Sequence, residues 1–284
     1  MMKRVLKRLA YGAGAPVVGA AFVALGGFAA SEVMIRMPPR PGPTPAIVAA
    51  NDPGAVERGR RLATVSGCHD CHGKDLSGKL FHDDPAMVRA WAPNLTLAAA
   101  QQSDAQLARA IRHGVAADGR PLWIMPSSAF SKFSDAETAD LLAYLRSVPP
   151  TGARQPRLQV GPVGRLAVLL GKFHSEPATL KANGGLDLPD LGPEHAQGRA
   201  VARACVECHG PELKGSALVK SPDLAIAGAY DLNDFERLLR TGIAAGDRKL
   251  GLMSEIAPAR FNVLSHEEIA ALHAYLRARA EQAS

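Results

Sequence analysis

The sequence predicts an all-α protein in which two tandem copies of one helical domain follow an N-terminal transmembrane helix. Three observations carry this reading: a long uncharged run behind basic residues, an internal repeat, and apolar periodicity of the helical kind in each copy. The first is residues 9–31, where no charge falls between Arg8 and Glu32. A bilayer core is crossed by about 20 apolar residues in a helix, so this run is long enough. Lys3, Arg4, Lys7 and Arg8 precede it. Basic residues stay on the cytoplasmic side, which places the rest of the chain outside. The expected setting is a bacterial inner membrane with the body facing the periplasm. A cleaved signal ending near Gly27-Phe28-Ala29 is the competing reading. The Pro-rich spacer "PPRPGPTP" (38–45) closes this region, taken as residues 1–40.

The second observation is the repeat. "GRRLATVSGCHDCHGKDLSG" (59–78) matches "GRAVARACVECHGPELKG" (198–215), and "APNL" (92–95) matches "SPDL" (221–224). "LARAIRHGV" (107–115) parallels "FERLLRTGI" (235–243), and "PLWIMP" (121–126) parallels "LGLMS" (250–254). "FSDAETADLLAYLRSV" (133–148) answers "LSHEEIAALHAYLRAR" (264–279). Five matches in one order define a duplicated domain, with the first copy at 41–148, a linker at 149–192 and the second copy at 193–284.

The third observation concerns each copy's last segment. It opens with a capping box, Ser134 with Glu137 and Ser265 with Glu268, ahead of an apolar-periodic run. Ile269, Leu272 and Leu276 recur at steps of three and four, as one buried helix face requires. Alternating strand patterns are not expected. The linker contains "GRLAVLLGKF" (164–173), too short to span a bilayer and read as a helix packed between the domains.

The pI near 9.3 raises the possibility of nucleic-acid binding. Six basic residues and one acidic residue lie within 1–40, leaving 27 basic against 26 acidic in the remainder. A nearly neutral body has no electrostatic footprint for nucleic acid.

All four cysteines fall in two CxxCH clusters, Cys68-His69-Asp70-Cys71-His72 and Cys205-Val206-Glu207-Cys208-His209. Paired zinc knuckles usually lie about 15–20 residues apart, whereas 134 positions separate Cys71 from Cys205. A thioredoxin-like redox pair needs a βαβ context. Covalent haem attachment has the signature CxxCH, so two haem c groups are expected, one on Cys68 and Cys71, the other on Cys205 and Cys208. His72 and His209 directly follow the second cysteines and are the proximal iron ligands; valine stands in the second copy where the first has His69. Met125 and Met253 occupy equivalent repeat positions and are the expected distal ligands, while Met87 has no counterpart and is assigned to packing.

With CxxCH, a "PNL"-type segment, a ligand methionine and a final helix carrying "AYLR", the chain resembles the class I cytochrome c family over residues 50–150 and 193–284. The resemblance implies that the Pro93 and Pro222 carbonyls hold the rings of His72 and His209. It also implies that the first and last helices of each copy cross at a glycine–aromatic contact, Gly59 with Tyr144 and Gly198 with Tyr275. The whole chain is similar to membrane-anchored dihaem cytochromes and to cytochrome subunits of bacterial membrane-bound dehydrogenases, which typically carry three haems where this chain has two motifs. His69, His82, His174, His195, His266 and His273 are read as solvated or capping. His113 is a minor candidate for a haem edge, and Arg120 for a propionate.

Electron transfer between a membrane donor and an acceptor in a respiratory chain is the leading function. The expected partners are redox proteins: a membrane dehydrogenase or oxidase, or a soluble carrier. The alternatives are a dihaem enzyme of the peroxidase or thiosulfate dehydrogenase type, which would need an open or unusual iron ligand, and the cytochrome subunit of a membrane-bound dehydrogenase or oxidase, which is compatible with the carrier. A methionine in both copies and no spare cysteine favour the carrier.

Overall fold

The computed structural model describes residues 2–39, 46–185, 187–217 and 219–283, with 2–18 and 283 described by backbone alone. Most of the proline-rich spacer, residues 40–45, lies outside them. Helix α1 (Met2–Arg36) runs through the uncharged stretch without interruption. Its Gly19–Arg36 part is long and apolar enough to cross a membrane and is almost wholly uncovered by the rest of the chain.

The first copy contains α2 (Ala55–Val65), α3 (Cys68–His72), α4 (Leu95–Gln101), α5 (Asp104–His113), α6 (Ser127–Phe130) and α7 (Asp135–Ser147). Between the copies come α8 (Pro162–Leu169) and α9 (Glu176–Asn183). The second copy holds α10 (Ala196–Ala202), α11 (Val206–His209), α12 (Leu232–Thr241), α13 (Leu252–Phe261) and α14 (His266–Ala283). Both capping boxes form: Ser134 Oγ accepts from Glu137 N at 3.1 Å, and Ser265 Oγ from Glu268 N at 3.2 Å. Each satisfies amides that a helix start leaves without partners.

The expectation of an all-α chain needs correction. Strands β1 (Lys79–Asp84) and β2 (Val88–Ala92) form an antiparallel hairpin, to which β3 (Gln159–Val160) adds a short third strand. In the second copy β4 (Ile243–Ala244) pairs with β5 (Arg248–Lys249). The alternation is present in "VRAWA", where Val88, Ala90 and Ala92 point inward and Arg89 and Trp91 are more exposed. Asp84 Oδ1 closes the turn by accepting from the amides of Ala86 and Met87. The hairpin is an insertion in the first copy. Where it stands, the described residues of the second copy form the short Ser216–Ser221 bridge, so a comparison of repeats passes over it.

The linker is also more structured than its composition implies. Asn94 Nδ2 donates to the carbonyls of Thr151 and Ala153, and Glu176 Oε2 accepts from Ser128 N at 2.7 Å. Helix α8 does not pack between the domains. It lies against α1 and against the turn of the hairpin, where a Cβ on Gly164 would overlap the carbonyl of Met87.

Two cores result. Leu76, Leu107, Ile111, Phe133, Leu141 and Leu142 lie in the first; Leu213, Phe235, Leu239, Ile269, Leu272 and Tyr275 lie in the second. In each, the first and last helices cross at backbone contact. A Cβ on Gly59 would overlap the Asp140 carbonyl and crowd Tyr144 Cβ; one on Gly198 would overlap the Ala271 carbonyl and crowd Tyr275 Cβ. Glycine in a helix costs about 0.5–1 kcal/mol relative to alanine, so the close approach must return more than that.

Gly198→Ala therefore trades a small helix gain for a forced separation of α10 from α14. Overpacking of this kind costs about 1–3 kcal/mol, so the variant should unfold at lower denaturant concentration, followed by helical circular dichroism. Stability equal to the parent would mean that the crossing is loose.

Candidate haem attachment sites

Each CxxCH motif forms a short helix, α3 in the first copy and the segment through α11 in the second. The turn that follows is the same in both copies. Gly78 N donates to the His72 carbonyl at 2.8 Å, and Gly215 N to the His209 carbonyl at 2.9 Å. Inside it, Leu76 and Leu213 are held at φ +61° and +58°, a region that disfavours a side chain by about 1–2 kcal/mol. Both are buried, at 1% and 0% exposure, and burying a leucine returns about 1.5–3 kcal/mol. Their carbonyls accept from Leu95 N at 2.8 Å and Leu224 N at 2.9 Å. That bond fixes the "PNL" and "PDL" segments beside the histidines. Sequence reasoning missed these two leucines, although "GKDL" and "GPEL" stand at matching repeat positions.

His72 Nδ1 lies 2.8 Å from the Pro93 carbonyl, and His209 Nδ1 lies 2.9 Å from the Pro222 carbonyl. A carbonyl only accepts, so Nδ1 carries the proton in each ring and Nε2 keeps its lone pair. Burial pushes both imidazoles below their usual pKa, which keeps them neutral at pH 7. A neutral ring with Nδ1 engaged is what an Nε2 iron ligand requires.

None of the four cysteines forms a disulfide, and all are partly buried. Cys68 packs against the first core together with Met125, and Cys205 against the second together with Met253. Burial pushes the thiols of Cys68 and Cys205 up to about 12, so neither is a thiolate poised for redox exchange. Among the described residues no three His, Cys, Asp or Glu side chains gather as a metal site. The donor set of each motif is therefore two thiols and one histidine over an apolar floor, which fits covalent haem and does not assemble a zinc tetrahedron.

The remaining candidates resolve individually. Met87 lies in the hairpin turn, where its carbonyl accepts from Gly161 N. His113 closes α5 half-buried. Arg120 pairs with Asp118 at 3.0 Å. His69 Nε2 is 3.5 Å from the Tyr144 hydroxyl, and His266 pairs with Glu236 at 2.6 Å. His273 departs from its reading as solvated or capping: it is buried at 5% exposure, with Nε2 2.9 Å from the Tyr230 carbonyl. It stands four residues after Ile269 on α14, and its ring packs against Phe235.

One further residue was not legible in the sequence. Arg260 of α13 is buried at 6% exposure and donates to Asp70 at 2.6 Å and to Glu207 at 3.0 Å. Those carboxylates are interior residues of the two CxxCH motifs, so one guanidinium joins both motifs. It lies against Gly67, whose lack of a Cβ leaves room for it. The two anions hold its pKa well above the usual arginine range. Arg61 and Glu268, 2.7 Å apart, add a second ion pair between the copies.

Comparison with known proteins agrees with this geometry. The cytochrome c family model matches residues 56–149 and 195–280. The fructose dehydrogenase cytochrome subunit of Gluconobacter japonicus is 27% identical over 267 residues, 83% of this chain and 54% of that protein. A nicotinate dehydrogenase subunit of Pseudomonas putida is 32% identical over 126 residues, 41% of this chain and 10% of that protein. The chain thus spans about half the first relative's length and a tenth of the second's. The two matched segments cover well over half of the chain, which belongs to the cytochrome c family and binds haem c covalently.

Replacing Cys68 and Cys71 together with alanine should remove one haem and leave the other. Intact mass and haem staining on a denaturing gel check this. Loss of both groups, or of neither, would show that the two motifs are not separate attachment sites.

Proposed function

We propose that this cytochrome c family member is a membrane-anchored dihaem electron carrier built from two class I domains, serving as the cytochrome subunit of a membrane dehydrogenase. In this reading Cys68 and Cys71 would hold one haem, and His72 and Met125 would supply the ligands to its iron. Cys205 and Cys208 would hold the other, with His209 and Met253 as the ligands. Pro93 and Pro222 orient the histidine rings. The observation that supports this above others is the repetition of one arrangement: a buried imidazole tied through Nδ1 to a proline carbonyl, and a methionine on the same core as the first cysteine of its motif.

Haem iron supplies the one-electron chemistry, and methionine opposite histidine raises its potential. The protein supplies burial, ring orientation and a fixed relation between the two sites. Both copies offer a sulfur ligand, which would leave neither iron an open position for substrate and supports a carrier over a catalyst. The similarity to two dehydrogenase subunits supports a dehydrogenase as donor; the acceptor in this reading is an oxidase or soluble carrier of a respiratory chain. Helix α1 supports a location in a bacterial inner membrane with both haem domains in the periplasm.

Two measurements test the ligand assignment and the carrier role. Met125→His should lower one midpoint potential and leave the other nearly unchanged, with loss of part of the near-infrared methionine–iron band. If Met87→Leu removed that band instead, Met125 would not be the ligand. The reduced protein should bind carbon monoxide poorly and turn over peroxide or thiosulfate slowly. Stoichiometric carbon monoxide binding at one haem, or rapid turnover, would identify an enzyme.

A further inference from the structure

Helix α8 distributes its side chains to three sides. Arg165 and Leu169, four positions apart, meet α1: the guanidinium bonds Ser31 at 3.0 Å and Glu32 at 2.6 Å and lies 4.0 Å from the Phe28 ring centroid, while Leu169 approaches Gly27. Gly164 and Val168 are buried, Gly164 against the hairpin turn. Val163 and Leu166 of the helix, with Leu170 directly after it, share the third side at the three- and four-residue spacing of one helix face. They are 54%, 54% and 64% exposed. Arg165 is the one ionisable residue in α8, and Glu32 neutralises it. The outward face therefore carries no charge.

The level at which α8 meets α1 decides what covers that face. The contacts fall on residues 27–32, the outer end of the uncharged run 9–31. Twenty-three helical residues rise about 35 Å, and the hydrocarbon core is about 30 Å thick. Residues 27–32 therefore stand at the outer boundary between acyl chains and headgroups. Around them α1 exposes Leu25, Phe28 and Val33, so the apolar surface of the anchor continues onto α8. At the same end, Trp123 donates from Nε1 to the Ile35 carbonyl at 3.1 Å and packs on Phe173 at 5.1 Å between ring centroids. Tryptophan and other amphipathic aromatics collect at that depth.

We infer that α8 is an in-plane membrane element whose Val163–Leu166–Leu170 face rests in the outer leaflet beside α1, laying the first haem domain against the bilayer surface. This placement rests on α1 being the retained anchor. It replaces a water-exposed apolar stripe with lipid, and the charge that lipid would penalise is already paired inward.

The test uses the full-length haem-loaded protein in vesicles of phosphatidylcholine and phosphatidylglycerol. The native cysteines are consumed by haem attachment, so Leu166→Cys introduces a single free thiol for an environment-sensitive fluorophore. Lys181→Cys on the exposed side of α9 is the aqueous control. The label at 166 should be quenched by nitroxide lipids, most strongly by a nitroxide about 5–10 Å below the headgroup surface, and shielded from iodide. The label at 181 should show the reverse. Iodide quenching at 166 without lipid quenching would overturn the membrane role of α8. Alkaline carbonate extraction separates the two readings: release of the whole chain defeats the anchor and this inference together, whereas retention with an iodide-accessible label defeats the inference alone.

Discussion

Each half of the molecule is organised around one leucine in a conformation that leucine disfavours. Leu76 and Leu213 take positive φ because the turn after CxxCH must reverse within a few residues, and because the reversal drives the side chain into the core. The strain, about 1–2 kcal/mol, is smaller than the return from full burial. From that point the site assembles. The leucine carbonyl fixes the following proline segment, the proline carbonyl takes the imidazole N–H, and the imidazole is left neutral with one nitrogen free. The helix crossings at Gly59 and Gly198 close the same core from the other side.

Between the two halves the organising element is a charge. Arg260 is desolvated, and an isolated buried cation would be expensive. Two carboxylates and the space over Gly67 compensate it. Buried ion pairs contribute little net stability against an apolar replacement. Their geometric demand is strict, however, and here it sets two haem motifs in one fixed relation. A flexible tether between two independent carriers would not do this.

The sequence carried the features that are local or that recur. CxxCH is legible because attachment needs neighbours in the chain, the capping boxes are legible because each appears twice in register, and the crossing glycines are implied by the family resemblance. The hairpin of residues 79–92 occurs once and alternates visibly over only five residues. In the proline- and glycine-rich linker the helix at 164–173 is legible but its anchoring is not: Asn94, Glu176 and Arg165 bind the linker to elements far away in the chain. Arg260 lies between the repeated segments 250–254 and 264–279 and belongs to neither, and its partners lie 190 and 53 positions away. Its role depends on tertiary placement that no pattern within α13 records.

The clamp has a consequence for the history and engineering of the duplication. Aligning Phe261 with Phe130 and Ser265 with Ser134 puts Ala129 opposite Arg260. Ala129 lines the small cleft between the copies together with Arg203 and Glu207. Descended from one module, the copies have become complementary rather than equivalent: one presents the cation, and the other presents alanine at that position. Their order along the chain is therefore not free. A chimera made of two first copies would bring two acidic loops together with nothing between them. A chimera of two second copies would press a guanidinium against alanine, because Ala204 precedes the second CxxCH where Gly67 precedes the first. Two positions, Arg260 against Ala129 and Gly67 against Ala204, make the pair indivisible.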